Sequence, residues 1–320
     1  MRLKYLPLLA AAFATPSYAL NIVIANDDSY ETANVQQLKL KLEEAGHNVL
    51  LSVPCAHQSG KGGSMGSYMT NMPVHKLEAG TNGILSVNDD TQAADGYCVG
   101  DLEADKATKT FQEFKDGTPL IASAHGIYKA NEIWGTNPDL LISGPNEGRN
   151  VGFAVFISGT LGAAHQAIVS GIPAIAISAG STPGDEADAL TYAKTIGSMA
   201  VDIVEKLQAS RKDGEALLPP KMGLNVNTPD FGKLAGAEYK FTDVNWNSGM
   251  AIQWSNLGEG YGGYYGYTTE MGLYGLNFMP SNPTGDVDPN SEANAVDDGY
   301  IAISTIDATE NAIKAKSDLQ

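Results

Sequence analysis

Asn21-Ile22-Val23-Ile24-Ala25-Asn26-Asp27-Asp28 is the stretch whose reading decides the fold. Its first five residues are a short run rich in β-branched side chains, the composition of a strand buried on both faces of a parallel sheet. Asn26-Asp27-Asp28-Ser29 then ends the run with turn-forming residues. A helix is predicted over Ala33–Ala45, with Val35, Leu38, Leu42 and Ala45 on one stripe and Gly46 as its stop. Val49–Val53 is a second strand, closed by Pro54. Strand, helix and strand make a β-α-β unit, and such units wind right-handed into parallel sheets.

The same alternation continues outward. Asp139–Ser143 and Ile172–Ser178 read as buried strands, Thr160–Ser170 as a helix stopped by Gly171, and Glu186–Ala209 as a long helix with Leu190, Ala193, Ile196, Val201, Val204 and Leu207 inward. Met222–Asn227 and Gly299–Thr305 are further strands, the last followed by a short C-terminal helix. Residues 57–69, rich in Gly and Ser, form a loop, and residues 78–118 carry no clear periodicity. From Tyr239 the composition changes: Trp246, Trp254, Tyr261, Tyr264, Tyr265, Tyr267, Tyr274 and Phe278 are spread through Gly-rich sequence, which reads as a β arm that packs on a partner subunit. The expected organisation is an α/β core over 20–238 and an arm, last strand and helix over 239–320.

Residues 1–19 read as an export signal: Arg2 and Lys4, an apolar run from Leu6 to Ala14 too short to span a bilayer, and the small-x-small site Ser17-Tyr18-Ala19. A periplasmic or secreted location is therefore expected, and Cys55 and Cys98 suit an oxidising compartment. The formal charge is −17, and losing Arg2 and Lys4 with the signal makes it −19. So acidic a chain is unsuited to DNA or anionic membranes, but accepts a small phosphorylated substrate if a cation sits in the pocket.

Ligands of open α/β sheets bind beyond the carboxyl ends of the strands. Asp27 and Asp28 follow the first strand, Ser59 lies in the loop after the second, Asn146 follows the strand ending at Ser143, and Ser158-Gly159-Thr160 precedes a helix. Adjacent carboxylates repel, so either a cation lies between them or one holds a proton. Two carboxylates, a hydroxyl and an amide carbonyl form an all-oxygen set suited to Mg²⁺ or Mn²⁺, with Ca²⁺ as an alternative, and not to structural zinc. Asp27-Asp28 can equally be a helix-capping pair, and Ser158-Gly159-Thr160 either caps its helix or offers free N–H groups to phosphate. The loop Ser59-Gly60-Lys61-Gly62-Gly63-Ser64 lacks the Gly-Lys-Ser/Thr of a P-loop, which argues against an NTPase. The five histidines lack metal spacing and read individually as structural or surface residues.

Taken in order, these segments resemble the SurE family of 5′/3′-nucleotidases and phosphatases. The resemblance runs from Ile22–Asp28 through Val53-Pro54, Gln58-Ser59-Gly60, Pro138–Asn150, Ser158–Ala164 and Gly171–Ser178 to Leu224–Asn227 and Gly299–Thr305. It implies a Rossmann-like fold, metal ligands at Asp27, Asp28, Ser59 and Asn146, and phosphate contacts near Asn150, Ser158, Gly159 and Thr160. It further implies hydrolysis of nucleoside monophosphates or other monoesters by cation-activated water, with Asp27 or Asp28 orienting that water, and a homodimer or homotetramer joined by an exchanged arm. The rival expectations are a broad acid phosphatase with little base preference and a binding module without turnover. Ser29 stands where the family has glycine, so a different loop is expected after Asp28. Gly117-Thr118-Pro119 resembles a family motif without the acidic and cysteine residues that follow it there.

Overall fold

The computed structural model describes residues 18–67, 69–77, 96–110, 112–212, 214–245, 249–281 and 288–307. In chain order the elements are β1 (Asn21–Ala25), α1 (Ala33–Glu44), β2 (Asn48–Pro54), β3 (Val74–Leu77), β4 (Gly96–Val99), α2 (Pro119–Trp134) and β5 (Leu140–Asn146). There follow α3 (Ala154–Ile157), α4 (Gly159–Val169), β6 (Ala174–Ser178), α5 (Glu186–Ser210), β7 (Met222–Asn227), α6 (Phe231–Leu234) and β8 (Tyr239–Thr242). The last are β9 (Met250–Asn256), β10 (Tyr274–Pro280), α7 (Glu292–Asp297) and β11 (Ile301–Asp307).

The main sheet runs β3-β4-β2-β1-β5-β6-β7-β11-β8. From β4 to β7 every pairing is parallel, while β3 and β11 pair antiparallel to their inner neighbours. β1 lies inside the sheet, beside the middle strand β5, and its alternating side chains split the core. Ile22 and Ile24 join α1 and α5 through Leu38, Leu42, Ile196 and Val204, whereas Val23 and Ala25 join α2 and α4 through Ala130, Leu161, Ala164 and Ile168. Helices therefore cover both faces, the Rossmann-like arrangement expected of near-continuous apolar strands.

Several boundaries differ from expectation. Ala45 is exposed rather than part of the α1 stripe, and Val201 and Leu207 of α5 are only partly buried. The unread region contains β4, and α2 and β3 were not foreseen. Tyr239–Thr242, grouped with the arm from sequence, pairs with β11 at the edge of the main sheet. The hairpin proper is β9–β10, in register from Tyr274↔Asn256 to Pro280↔Met250, with Trp254, Tyr274 and Leu276 exposed. Residues 1–17, the Asp89-Asp90 pair, Trp246, the side chains of Tyr261, Tyr264 and Tyr265, and the expected C-terminal helix lie outside the described residues. Among the described residues no helix is long and apolar enough to cross a membrane.

Cys55, just past β2, is disulfide-bonded to Cys98 of β4, and both are buried. The link closes 43 residues of chain, and a loop of that length gives a stabilisation of about 2–4 kcal/mol. The Cys55→Ala/Cys98→Ala double variant should therefore lose about 2–4 kcal/mol in denaturant unfolding. The wild type unfolded under reducing conditions should lose the same amount; equal stability of reduced and oxidised protein would contradict the assignment.

Candidate active site

The carboxyl ends of β1, β5, β6 and β7 meet at one rim, and the polar residues gather there. Asp27 and Asp28 are only 3% and 4% exposed. The Thr160 hydroxyl donates to Asp27 Oδ1 at 2.8 Å, and the Glu147 backbone N–H donates to Asp28 Oδ2 at 2.9 Å. Burial first, and the Asp28 carboxylate second, push Asp27 well above the usual carboxylate range, while Thr160 and His57 pull it back. This pair has the electrostatic signature of a cation site: two carboxylates taken out of water beside each other.

Gly159 explains how α4 approaches so closely. A side-chain carbon at this position would stand 2.7 Å from Asp27 Cβ and 2.9 Å from Asp27 Oδ2. Ser158 is the N-cap of α4, accepting from the Leu161 N–H at 3.1 Å, so the capping reading of that serine holds. Thr160 lies in the first turn of α4 and reaches Asp27. A one-residue register shift between β5 and β6 carries Asn146 to the strand tip, where its Nδ2 donates to the Gly148 carbonyl at 2.8 Å and leaves the amide oxygen for a ligand.

The expected ligands are thus brought together unequally. Asp27 and Asp28 share one buried cluster, and Asn146 adjoins it through the next residue, Glu147. Ser59 is exposed, and its N–H faces His57 Nδ1 at 3.5 Å. His57 lies at the surface, as the sequence reading had it, and also reaches the site: its Nε2 lies 3.1 Å from Asp28 Oδ1. The hydrogen bond to Asp28 raises the His57 pKa, with burial opposing it. Nothing in the spacing of His57 revealed this; it follows from the Gln58 N–H binding the Asp27 carbonyl at 2.8 Å, which folds the loop onto β1.

Asn150 also differs from a free phosphate donor. Its Nδ2 donates to Ser178 Oγ at 2.8 Å and to Thr160 Oγ1 at 3.3 Å. Its backbone is held by β7: the N–H donates to Asn227 Oδ1 at 2.8 Å, and the carbonyl accepts from Asn225 Nδ2 at 3.0 Å and Asn227 Nδ2 at 3.2 Å. Leu224-Asn225-Val226-Asn227 carried the signal, because polar residues at alternate positions of a central strand need partners across the sheet face. Behind Asn225 stands Glu292 of α7, fully buried, whose carboxylate accepts from Gly152 N–H, Asn225 Nδ2 and Ser304 Oγ. Burial raises Glu292 to about 7 against the pull of those three donors.

Two glycine-rich spacings resolve as other things. Gly62-Gly63-Ser64-Met65-Gly66 has serine-hydrolase spacing but lies in an irregular loop, not the strand-to-helix elbow that chemistry needs. Gly258-x-Gly260-x-x-Gly263 falls in the hairpin connection rather than a β-α-β unit. Gly117 packs against the Val99 and Gly100 backbone, and Thr118 caps α2 with Pro119 at its first position. Ser29 keeps the left-handed backbone, φ 68°, that a glycine would favour, and the Asn26 Nδ2 donates to its carbonyl at 2.5 Å.

Fold and site define an α/β protein with a buried acidic pair at the carboxyl rim of a parallel sheet. The family model described as Survival protein SurE matches residues 22–250, and the chain belongs to this SurE family. An acid phosphatase of Yarrowia lipolytica is 32% identical over 224 residues, 67% of this chain and 58% of that protein. A 5′-nucleotidase SurE of Lawsonia intracellularis is 30% identical, covering 66% of each chain. A 5′-nucleotidase SurE of Stenotrophomonas maltophilia is 26% identical over 90% of this chain and 89% of its own. The chain thus spans less than two thirds of the length of each of the first two relatives, 58% and 66%. The crystal structure of the SurE protein from Aquifex aeolicus superposes with a TM-score of 0.64 at 20% identity, covering 93% of this chain and 97% of that one, which shows the shared fold.

Replacing Ser29 by glycine removes a left-handed penalty of about 1–2 kcal/mol and adds unfolded-state entropy of up to about 1 kcal/mol. Ser29→Gly should therefore raise stability by about 0.5–1 kcal/mol in thermal or denaturant unfolding; a loss would show that Ser29 earns its place through contacts. For Glu292 the folded pKa, about 7, lies above the reference value of 4.5. Its contribution is fully present below the reference pKa and is lost as pH rises through 7. The stability of wild type minus that of Glu292→Gln should fall by roughly 3 kcal/mol between pH 4 and pH 8; a difference independent of pH would mean that Glu292 does not titrate there.

Proposed function

We propose that this chain hydrolyses phosphate monoesters, nucleoside monophosphates among them, with one divalent cation held by Asp27, Asp28, Ser59 and Asn146. The observation that carries the reading is the adjacent pair Asp27 and Asp28, both nearly sealed from water, with the exposed His57 imidazole as the basic side chain that reaches Asp28 among the described residues. The relatives named as acid phosphatase and 5′-nucleotidase support the same chemistry. The donors are all oxygen, which fits Mg²⁺ or Mn²⁺, with Ca²⁺ as the alternative.

The bound ion would neutralise charge on the phosphoryl oxygens and lower the pKa of a water. The protein supplies the rest. Thr160 and the Glu147 N–H fix the two carboxylates, so that Asp27 or Asp28 can orient the attacking water and accept its proton. Asn150 and the Ser158–Thr160 turn line the phosphate side, with Asn150 acting first through Thr160 in the ligand-free arrangement. Beside Ser158 opens a cavity of about 980 Å³ walled by Phe153, Val155, Phe156, Ile157 and, from the hairpin, Ile252. Its size and apolar wall favour an organic leaving group as large as a nucleoside. A second reading, a broad acid phosphatase with little base preference, is favoured by Gly117-Thr118-Pro119 serving α2 and the β4 turn rather than this cavity.

We also propose that the protein resides in an oxidising compartment outside the cytoplasm, a location supported by the Cys55–Cys98 disulfide. Assembly into a dimer or tetramer through the hairpin is supported by Trp254, Tyr274 and Leu276, which the single chain leaves exposed.

Phosphate release from AMP and from p-nitrophenyl phosphate should vanish in EDTA and return with Mg²⁺ or Mn²⁺. Asp28→Asn should keep the fold and cut release roughly 100-fold or more. The ratio of the two rates chooses between nucleotidase and general phosphatase. Well-folded protein that releases no phosphate with any cation would leave a binding module.

A further inference from the structure

Glu292 is a fully buried carboxyl far along the chain from the acidic pair, and a hydrogen-bonded path joins them. Its Oε2 accepts from Asn225 Nδ2 at 3.0 Å, and the same Nδ2 donates its other hydrogen to the Asn150 carbonyl at 3.0 Å. Asn150 Nδ2 donates to Thr160 Oγ1 at 3.3 Å, and Thr160 Oγ1 donates to Asp27 Oδ1 at 2.8 Å. On the other side of Asn150, the Gly152 N–H donates to Glu292 Oε1 at 2.9 Å. One carboxyl therefore grips the segment around Asn150 at two points.

The chemistry fixes the direction of this path. The Asn150 carbonyl only accepts, so the Asn225 group facing it must be its NH₂. The consequence is visible on the opposite atom: Asn225 Oδ1 is buried without a hydrogen-bond partner. Stranding that oxygen costs about 1–3 kcal/mol, which the arrangement tolerates only because the donor side is held. Thr160 accepts from Asn150 and donates to Asp27, whose ionised carboxylate can only accept.

We propose that Glu292 is a positioning residue: acting through Asn225 and Asn150, it sets the Thr160 hydroxyl that orients Asp27, and so raises the affinity of the acidic pair for a divalent cation. This rests on the cation site proposed above. Glu292→Gln leaves one acceptor where the carboxylate offered two, so an NH₂ stands against either the Asn225 or the Gly152 donor and one of the two grips on the Asn150 segment is lost, while Asn225→Ala removes the next step of the path. Ser304→Ala is the control. Ser304 Oγ donates to the same Glu292 Oε2 at 3.1 Å from β11 but is not itself a step of the path to Asn150, so this variant weakens the carboxyl's surroundings and leaves the Asn225 and Gly152 donors in place.

The test is calorimetric titration of metal-stripped full-length protein with Mn²⁺, with unfolding midpoints measured alongside. Partners one step removed from metal ligands typically change affinity 10–100-fold; Thr160 holds that place here, and Glu292 and Asn225 act through it, so the lower end of that range applies to them. Glu292→Gln and Asn225→Ala should each raise the Mn²⁺ Kd about tenfold, and Ser304→Ala should leave it within about twofold, whatever the three do to the midpoint. An unchanged Kd in folded Glu292→Gln overturns the proposal, as does an equal rise in Ser304→Ala, which would reduce Glu292 to packing. If Glu292→Gln does not fold, Asn225→Ala decides in the same way. A wild type that binds no Mn²⁺ overturns the cation site itself, an outcome distinct from wild-type binding that the variants leave unaltered.

Discussion

Two carboxylates side by side, out of water, at the tip of β1 are the constraint around which the rim is arranged. Such a pair is costly unless each oxygen has a donor or a cation. The chain supplies donors from several elements: a backbone N–H after β5, a threonine in the first turn of α4, and an imidazole from the loop after β2. Each must approach closely, and the absence of a side chain at Gly159 lets α4 do so. The parallel sheet is what makes this convergence possible, since all its strands from β4 to β7 end at the same edge. With a cation in place, the same donors hold the carboxylates in orientation rather than merely satisfying them.

The polar face of β7 extends that logic deeper into the protein. Leu224 and Val226 enter the core beneath α5, while Asn225 and Asn227 emerge on the other face and hold Asn150 by its backbone. A side chain held only by its own rotamer would wander; one whose backbone is bonded on both sides does not. Arg149, bonded to Asp230 and Asp297, ties the same segment to α6 and α7 from outside. The segment after β5 is therefore fixed from three directions although it has no regular structure of its own.

The sequence made much of this fold legible, and the reasons differ by element. β1, β2, β6 and α5 were readable because their burial is apolar and periodic. α2 was not, although Thr118-Pro119 and Gly135 mark its ends, because its buried face is Ala122, Ser123, Gly126 and Ala130 while Tyr128 and Ile133 point outward. A helix that packs by small residues has no hydrophobic stripe to read. At the site, Asp27 and Asp28 could be named because a strand places them, and Thr160 because it follows a helix cap. His57 and Glu292 could not, since their relation to the rim exists only after the loop after β2 and α7 have folded onto it. Ser29 was legible as a departure but not in its effect: the loop keeps φ 68° without glycine.

The two sides of the proposed site are built differently, and that difference bears on specificity. The acidic side consists of strand tips and helix starts locked by hydrogen bonds, where small changes of residue would disturb many partners. The opposite side is the apolar wall of α3 and the hairpin, where Phe153 stacks on Phe278 with ring centroids 6.4 Å apart. Contacts there are non-directional and tolerate volume-conserving exchange. A scaffold of this kind can hold its phosphate chemistry constant while its preference for the leaving group drifts. Relatives named for acid phosphatase and for 5′-nucleotidase activity are what such a division would produce. On this view the hairpin is part of the question of which monoester is cleaved, because Ile252 lines the cavity and Phe278 braces Phe153 beside it.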